Sequence, residues 1–206
     1  YRIFCVGRNY AAHAIEMGKD PTREAPFFFM KPPQAIIDAS TPQGMTYPPM
    51  TKNLHHEIEL VVAIGKGGRD ISVADALNHL YGYAVGLDMT RRDLQGEAKD
   101  KGRPWEFGKA FAGSAPMGML RTVAEIGHPS SAMIALTVNG QPRQSSNIDQ
   151  LIWSVAESIA QLSHYEALEP GDLIMTGTPE GVAAVVRGDV MQGHVDGVGE
   201  ITITVR

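Results

Sequence analysis

Hydrophobic and polar residues alternate along residues 57–64, and this period of two predicts a β-strand. One face of the strand would carry the aliphatic residues Ile58, Leu60, Val62 and Ile64. The other face begins with Glu57 and Glu59 and then becomes apolar at Val61 and Ala63. Two carboxylates roughly 7 Å apart on a face that enters the core repel each other and lose hydration. A hard divalent cation would remove that cost, and oxygen ligands favour Mg²⁺, Mn²⁺ or Ca²⁺ over zinc. The alternative is an edge strand whose acids face water.

Similar patterns predict the other elements of secondary structure. Further strands are expected at residues 1–6, 27–29, 81–88, 133–138, 173–176 and 201–205. Helices are expected at residues 10–17 between an Asn9 cap and Gly18, at 73–80 after a capping box at 72–75, and at 148–164 after a capping box at 146–149. The pair Asn139-Gly140 predicts a tight hairpin turn.

Four charged residues outside the strand at 57–64 are candidates for chemistry. Asp88 stands where an apolar strand leaves the core, which favours a third metal ligand; the alternative is a helix N-cap. Lys109 is flanked by aromatic and small residues, and a lysine in apolar surroundings can stabilise a developing anion. His13 and Glu16 would share a helical face, where the carboxylate can orient the imidazole to activate water; the alternative is a surface pair.

Two loops carry further candidates. Thr178 lies between Gly177 and Gly181, and this arrangement can bring its hydroxyl and nearby backbone N–H groups close to an anion; a simple tight turn is the alternative. Residues 19–26 are polar and interrupted by prolines, which is typical of a loop. This loop could close as a lid over a site beside His13, or it could be an ordinary surface loop.

Composition narrows the class of protein. The chain has 206 residues, with 43% hydrophobic and 20% charged residues, as expected for one globular domain. Its net charge of −5 argues against a nucleic-acid surface, and no apolar run approaches the length of a membrane span. The single cysteine, Cys5, excludes an internal disulfide, is expected in a strand core and fits a reducing compartment such as the cytoplasm. Because the chain opens at Tyr1 inside a predicted strand, we expect the natural N-terminus to lie upstream.

Six short segments, spread along the whole chain, form a specific set. They are residues 5–13 (CVGRNYAAH), 53–60 (NLHHEIEL), 86–95 (GLDMTRRDLQ), 101–105 (KGRPW), 108–111 (GKAF) and 176–181 (TGTPEG). In this order they resemble the fumarylacetoacetate hydrolase family, and they are most similar to its short acylpyruvate and fumarylpyruvate hydrolase branch. The resemblance favours the chemical interpretation of these residues over the alternatives given above. It also implies a β-rich, mixed α+β roll or sandwich with a few short helices, which is commonly a homodimer.

The resemblance assigns roles to residues of this chain by position in the motifs. It implies Glu57, Glu59 and Asp88 as ligands of Mg²⁺ or Mn²⁺, for which Ca²⁺ may substitute; His13 with Glu16 as a water-activating pair and Lys109 at the reacting carbonyls; and Arg92, Gln95, Thr178 and Arg8 in the substrate pocket. Arg8 or Arg23 could pair with a second carboxylate, which favours a fumaryl-type substrate. Longer family members have an aspartate ligand shortly before the matching histidine, whereas this chain reads Val-Gly-Arg at residues 6–8. Three protein carboxylates would leave more coordination positions open to water or substrate.

The reaction that the resemblance implies is hydrolysis of a 2,4-dioxo acid to pyruvate and a carboxylic acid, as in aromatic catabolism. Water activated by His13 and Glu16 would attack the distal carbonyl, and the cation with Lys109 would stabilise the charge that develops on the pyruvoyl part. Decarboxylation of oxaloacetate, or tautomerisation or isomerisation of a related oxo acid, is an alternative that does not need the water. A non-catalytic metal-binding protein is the alternative from another class, although it gives His13, Glu16 and Lys109 no purpose.

Overall fold

The computed structural model describes residues 1–16 and 24–206, apart from the side chains of His13, Ala14 and Glu16. The strands are β1 (Ile3–Gly7), β2 (Phe27–Lys31), β3 (Ile36–Asp38), β4 (Gln43–Met45), β5 (Leu54–His55), β6 (Ile58–Ile64), β7 (Leu80–Leu87), β8 (Thr90–Arg91), β9 (Ala115–Met117), β10 (Arg121–Thr122), β11 (Met133–Val138), β12 (Gln141–Asn147), β13 (Leu173–Met175), β14 (Ala184–Val185), β15 (Val190–Val195) and β16 (Gly199–Val205). The α-helices are α1 (Ala11–Glu16), α2 (Arg92–Asp100), α3 (Glu106–Lys109), α4 (Val123–Ile126) and α5 (Val155–Tyr165), and 3₁₀ turns lie at Pro33–Ala35, Ala76–His79 and Ile148–Gln150. None of the helices in the described ranges is both long and apolar enough to span a bilayer.

The strands form three sheets. The largest has eight strands in the order β2-β1-β13-β6-β7-β9-β3, with β10 also paired to β7. A five-stranded sheet runs β12-β11-β15-β16-β4, and a small sheet runs β14-β5-β8. Parallel and antiparallel pairs are mixed, because β1 runs parallel to β13 while β6 runs antiparallel to both of its neighbours. This β-rich α+β architecture, with short helices, confirms the predicted fold class.

The central strand β6 is buried on both faces. Its Ile58 face belongs to the main core, which also takes in Leu136 and Ile203 from the five-stranded sheet. The opposite face contributes Val61 to a smaller cluster that includes Cys5. The predicted alternation is therefore correct, and Cys5 is a buried core residue. The edge-strand alternative is wrong because β6 lies between β13 and β7.

The register of the central strands brings distant parts of the sequence to one end of the sheet. Strands β6 and β7 pair with Ile58 opposite Leu87, so the residue before β6 lies beside the residue after β7. The backbone N–H of Asp88 accordingly donates to the carbonyl of Glu57 at 2.8 Å. On the other side of β6, β13 is also antiparallel to β6, so the chain leaves β13 in the same direction as it leaves β7. The N–H of Thr176, the residue after β13, donates to the carbonyl of Leu60 at 3.1 Å.

Two of the predicted helices differ from the observed elements. Residues 73–80 contain only the 3₁₀ turn Ala76–His79, because the chain must already be extended at Leu80 to pair with Ile64. The long helix begins at Val155, not at 148, and its capping box is formed by Ser154 and Glu157. Residues 146 and 147 remain in β12, where cross-strand pairing with β11 prevails over the local capping pattern. The hairpin at Asn139-Gly140 is confirmed, with φ of 51° and 75° at its two central residues.

Asn9 does not cap the first helix as predicted. Its amide nitrogen donates to the carbonyls of Trp153 and Thr176, both at 2.8 Å, and its Oδ1 accepts from Trp153 N–H at 2.7 Å. The buried side chain therefore ties the segment after β13 to the segment before α5. A buried amide with three hydrogen bonds to two residues distant in sequence is a tertiary contact that local capping rules do not predict.

Candidate functional site

Three buried carboxylates converge at the end of the central strands. Glu57 and Glu59 come from the start of β6, and Asp88 follows β7. One oxygen from each lies within 4.8 Å of the others, and the residues are only 4%, 2% and 1% exposed. Asp88 does not cap α2, whose N-cap position is Arg91. The structure thus brings together the three residues that the sequence singled out as metal ligands.

Three basic side chains surround the carboxylates. Lys109 Nζ donates to Glu57 Oε2 at 2.8 Å and to Asp88 Oδ2 at 2.7 Å. Lys31 Nζ lies 2.8 Å from Asp88 Oδ1, and Arg92 Nη2 donates to Glu57 Oε1. Burial lowers the pKa of Lys109, but the carboxylates of Asp88 and Glu57 outweigh this effect and raise it above its ordinary value. Lys109 is therefore a protonated donor at neutral pH.

Glu59 differs from the other two acids in its partners. Its Oε2 accepts from Gly177 N–H at 2.8 Å, and among the described residues no basic side chain forms an ion pair with it. Burial, together with the carboxylates of Asp88 and Glu57, raises the pKa of Glu59 well above its usual range. A divalent cation would supply the missing counter-charge, and a donor set made only of carboxylate oxygens fits Mg²⁺ or Mn²⁺. The residues present therefore fit such an ion.

Lys31 is a member of the site that the sequence analysis missed. It is only 1% exposed at the end of β2, and its Nζ contacts Lys109 O, Ser114 Oγ at 3.0 Å and Met89 O at 3.4 Å. The signal that could have found it is the alternation of β2, which places Lys31 on the same face as Phe29. The two prolines that directly follow Lys31 favour an irregular segment and obscure this signal.

Arg92 and Gln95, both predicted to line the substrate pocket, lie one helical turn apart on α2. Arg92 Nη1 donates to Gln95 Oε1 at 2.6 Å, and its Nε donates to His55 Nδ1 at 3.3 Å. The other ring nitrogen of His55 lies 2.9 Å from Asn53 Oδ1, which can only accept. Burial and the charge of Arg92 lower the pKa of His55 to about 4, so its ring is neutral and Nδ1 remains an acceptor. His55 thus holds the guanidinium in place, a role that sequence reasoning did not assign.

The pocket over the carboxylates has one aromatic wall. Phe27, Phe29 and Trp105 line it, and both phenyl rings pack against the indole with centroids 5.5 Å and 5.9 Å away. Arg8 also lines the pocket, with its guanidinium carbon 5.1 Å from the centroid of the Phe27 ring. Arg8 has a φ of 55°, a conformation that non-glycine residues seldom adopt. Thr178 is 3% exposed and also lines the pocket.

The predicted His13–Glu16 pair falls within α1, where the backbone is described but these two side chains are not. Arg23 and residues 19–23 of the suggested lid likewise lie outside the described residues. Of the sequence-predicted site residues, the structure therefore brings together the carboxylates, Lys109, Arg92, Gln95, Thr178 and Arg8.

Comparison with known proteins gives a consistent result. The family model described as "Fumarylacetoacetate (FAA) hydrolase C-terminal" matches residues 2–206. A fumarylpyruvate hydrolase from a Ralstonia species is 51% identical over 186 residues, which are 90% of this chain and 95% of the relative. A mitochondrial oxaloacetate tautomerase from Bos taurus is 42% identical over 95% of this chain and 87% of its own length. The crystal structure of fumarylpyruvate hydrolase from Pseudomonas aeruginosa in complex with Mn²⁺ and pyruvate has a TM-score of 0.97 and 58% identity, and covers 100% of this chain and 89% of its own. The chain belongs to the fumarylacetoacetate hydrolase family.

Proposed function

We propose that this protein is a divalent-metal-dependent hydrolase that cleaves a carbon–carbon bond of 2,4-dioxo acids. The substrates would be acylpyruvates such as fumarylpyruvate, and the products would be pyruvate and a carboxylic acid. The observation that carries the proposal is that the buried cluster of Glu57, Glu59 and Asp88 shares one pocket with Lys109 and Arg92. The relatives named as fumarylpyruvate hydrolases, one of them in complex with Mn²⁺ and pyruvate, support the substrate class.

Glu57, Glu59 and Asp88 would hold Mn²⁺ or Mg²⁺, and Ca²⁺ could substitute. When bound, the cation supplies Lewis-acid stabilisation of negative charge on the oxygens of the pyruvoyl group. The charges of the described side chains support this assignment. Once Glu59 has lost its proton to make room for the cation, the three carboxylates are matched in charge by Lys31, Lys109 and Arg92. A divalent cation would leave two positive charges, which match a substrate carboxylate and the second negative charge that develops as the bond breaks.

The side chains of this chain would divide the remaining work. Lys109, held by two carboxylates, would donate to the carbonyl oxygen on which charge develops. Arg92, held by His55 and Gln95, would orient the substrate, and Thr178 would donate to its carboxylate. His13 with Glu16 would take a proton from water as the oxygen adds to C4. The C3–C4 bond then breaks, its electron pair passes to C3, and C3 is protonated to give pyruvate.

A second candidate is tautomerisation of oxaloacetate, which the names of the relatives from Bos taurus, Rattus norvegicus and Homo sapiens favour. Proton transfer next to a carbonyl would use the same carboxylates and Lys109, but it needs no hydrolytic water. Decarboxylation of oxaloacetate is related, since it also leaves negative charge on a pyruvoyl group. His13 and Glu16 therefore distinguish hydrolysis from both reactions.

A panel of fumarylpyruvate, acetylpyruvate and oxaloacetate, assayed with Mn²⁺, Mg²⁺ and a chelator, tests the proposal. We expect metal-dependent release of pyruvate from an acylpyruvate, faster than any tautomerisation or CO₂ release from oxaloacetate. Faster turnover of oxaloacetate would favour the second candidate. Metal binding without turnover of any of the three compounds would instead indicate a non-catalytic metal-binding protein.

We also propose that the chain forms a homodimer in the cytoplasm and serves the breakdown of aromatic compounds. The single buried cysteine and the relatives named as fumarylpyruvate hydrolases support this setting. Light scattering of the purified protein tests the oligomeric state, because a monomer would have about half the expected mass.

A further inference from the structure

Gln144, on strand β12, is a buried glutamine next to the pocket that the proposed function does not use. It is 2% exposed, and its side chain makes four hydrogen bonds. Its Oε1 lies 3.1 Å from the backbone nitrogen of Ile58 and 2.9 Å from His56 Nδ1. Its Nε2 lies 2.8 Å from Thr178 Oγ1 and 2.9 Å from the carbonyl oxygen of Pro179. The amide therefore spans from the start of β6 to the segment after β13.

Two backbone groups fix the orientation of this amide. The N–H of Ile58 can only donate, so it must face the oxygen of the Gln144 side chain. The carbonyl of Pro179 can only accept, so it must face the nitrogen. A rotated amide would place like groups against each other at both positions. The group that Gln144 presents to Thr178 is therefore an N–H donor.

This orientation determines what the Thr178 hydroxyl can do. Its oxygen accepts from Gln144, and a hydroxyl has only one hydrogen of its own. Leaving aside residues 17–23 and the side chains of His13, Ala14 and Glu16, which the structure does not describe, no hydrogen bond uses that hydrogen. The nearby Thr176 hydroxyl, by contrast, donates to the carbonyl of Leu60 at 2.9 Å. Thr178 lines the pocket together with Glu59 and Lys109, so its free hydrogen is available to a ligand there.

The backbone around Thr178 is fixed by close packing. A Cβ atom on Gly181 would lie 2.0 Å from the carbonyl oxygen of Arg143, and one on Gly177 would lie 2.7 Å from Asn9 Cβ. Both glycines also have φ near +90° or above, which L side chains rarely adopt. The segment therefore cannot move away from β12 easily, and the contact between Gln144 and Thr178 is maintained.

We infer that Gln144 is a positioning residue: it makes the Thr178 hydroxyl a hydrogen-bond donor directed at a carboxylate or carbonyl oxygen of the ligand. The identity of that ligand rests on the proposed function, in which it is the carboxylate of the pyruvoyl group. The orientation of the hydroxyl follows from the hydrogen bonds alone. Gln144 touches neither the carboxylate cluster nor the reacting atoms, so it acts through Thr178.

The substitution Gln144→Glu tests this inference because it retains both acceptor contacts, to Ile58 and His56, and replaces only the nitrogen donor with oxygen. The Thr178 hydroxyl must then turn its hydrogen toward residue 144 and presents a lone pair to the ligand. We expect the KM for the acylpyruvate and the Kd for pyruvate in the presence of Mn²⁺ to rise about tenfold to a hundredfold. We expect kcat to change much less, because the interaction is already present with bound substrate.

Matched variants separate this effect from that of the added charge. Thr178→Val removes the hydroxyl without adding a charge and should weaken pyruvate binding by a similar factor, whereas Thr178→Ser should restore most of the affinity. In the Thr178→Val background, Gln144→Glu should cost less than about twofold more, because the two residues act as one unit. Fully additive losses would overturn the inference. Calorimetric titration with Mn²⁺ alone should show retained metal affinity in Gln144→Glu, as expected of a folded site.

A structure of the native protein with Mn²⁺ and pyruvate keeps the test independent of whether the variants fold. We expect Thr178 Oγ1 to lie within about 3.2 Å of both Gln144 Nε2 and a pyruvate oxygen. A rotated amide, or a hydroxyl directed away from pyruvate, would overturn the inference. Because pyruvate binding needs no turnover, weaker binding in Gln144→Glu supports the inference even if no dioxo acid is hydrolysed. If that variant hydrolyses the dioxo acid with unchanged KM and pyruvate affinity, the role of Gln144 is refuted but the proposed function stands. If the native protein binds neither pyruvate nor a dioxo acid, the role of Gln144 and the proposed function are both refuted.

Discussion

Replacement of Lys31 by methionine should strongly destabilise the metal-free protein. Methionine has a similar length and volume, so the aliphatic part of the side chain would still fill its space. The substitution removes the ion pair with Asp88 Oδ1 and the hydrogen bonds to Lys109 O and Ser114 Oγ. Asp88 remains buried and still pairs with Lys109, but it loses one of its two cations.

The magnitude follows from the burial of both partners, whose side chains are 0% and 1% exposed. Removing one partner of a buried ion pair costs about 3–5 kcal/mol when the other charge is left without compensation, and because Asp88 keeps Lys109 this range is an upper bound for Lys31→Met. A domain of this size loses about 2–4 °C of Tm for each kcal/mol, so the expected decrease in Tm is at most about 6–20 °C. Lys101→Met is the matched control. Lys101 pairs with Glu97 at 2.6 Å on the surface, and losing an exposed pair of this kind costs about 0.3–0.5 kcal/mol.

Thermal unfolding should be followed by circular dichroism, first with a chelator and then with Mn²⁺. We expect Mn²⁺ to raise the Tm of Lys31→Met by more than it raises the Tm of the native protein, because the cation replaces the charge that Asp88 has lost. Calorimetry should show a lower Kd for Mn²⁺ in this variant, since a competing positive charge is gone. If Lys31→Met lowered the Tm no more than Lys101→Met does, the inference that Lys31 compensates Asp88 would be refuted.

Three further predictions concern the carboxylates and the proposed base. Glu59→Gln should abolish Mn²⁺ binding and turnover but raise the Tm in chelator at neutral pH. The raised pKa of Glu59 gives the native protein stability at acidic pH that is lost as pH rises through that pKa, because the buried carboxylate must then ionise. Glutamine does not ionise, so the variant does not lose this stability. A variant with a lower Tm in chelator would contradict this account. Because Mn²⁺ must displace the proton of Glu59, its affinity should rise with pH by up to about tenfold per unit, and calorimetry in buffers of different ionisation enthalpy should detect proton release; a pH-independent Kd would exclude such coupling. His13→Ala should retain Mn²⁺ affinity in calorimetry but lose hydrolysis of acylpyruvate, and an unchanged rate would remove His13 from the mechanism.

The carboxylate cluster was predictable because it depends on local patterns of two strands. The alternation at 57–64 assigns Glu57 and Glu59 to one face, and Asp88 ends an apolar run. Strand ends at one edge of a sheet meet whenever the strands pair with matching register, as β6 and β7 do. The pattern alone could not exclude that residues 57–64 form an edge strand with its acids in water. The position of a strand within its sheet depends on residues far away in sequence, here those of β13.

The errors occurred where tertiary contacts prevail over local preferences. Residues 146–149 have the spacing of a capping box, but β12 continues to Asn147 because it pairs with β11. The helix begins instead at Val155, after the N-cap Ser154, whose side chain accepts from Glu157 N–H at 3.3 Å. Asn9 is a residue type that often caps helices, but here its side chain makes a long-range contact. In both cases the local sequence favours a helix cap, and the hydrogen-bond partners in the folded protein determine which structure forms.

The residues that support the site were the hardest to predict. Lys31 could have been found from the alternation of β2, but nothing in its neighbourhood indicates that Asp88 would be its partner. Gln144 lies in a strand of polar residues, and its importance arises only because Thr178 and Ile58 approach it from two other parts of the chain. Hydrogen-bond partners of buried amides depend on the register of several strands at once, whereas a sequence pattern reports only one strand.

The distribution of charge explains why Glu59, rather than Glu57 or Asp88, should govern metal binding. Glu57 and Asp88 already have basic partners at hydrogen-bonding distance, so their charges are compensated in the metal-free protein. Among the described residues, Glu59 has only the dipole of Gly177 N–H, and its charge is the costly one to bury. The attraction between the cation and Glu59 therefore contributes most to metal binding, because no basic side chain among the described residues already pairs with that carboxylate. The same asymmetry leaves Lys109 able to exchange one of its carboxylate contacts for a substrate oxygen, because the charge that it gives up can be compensated by the cation.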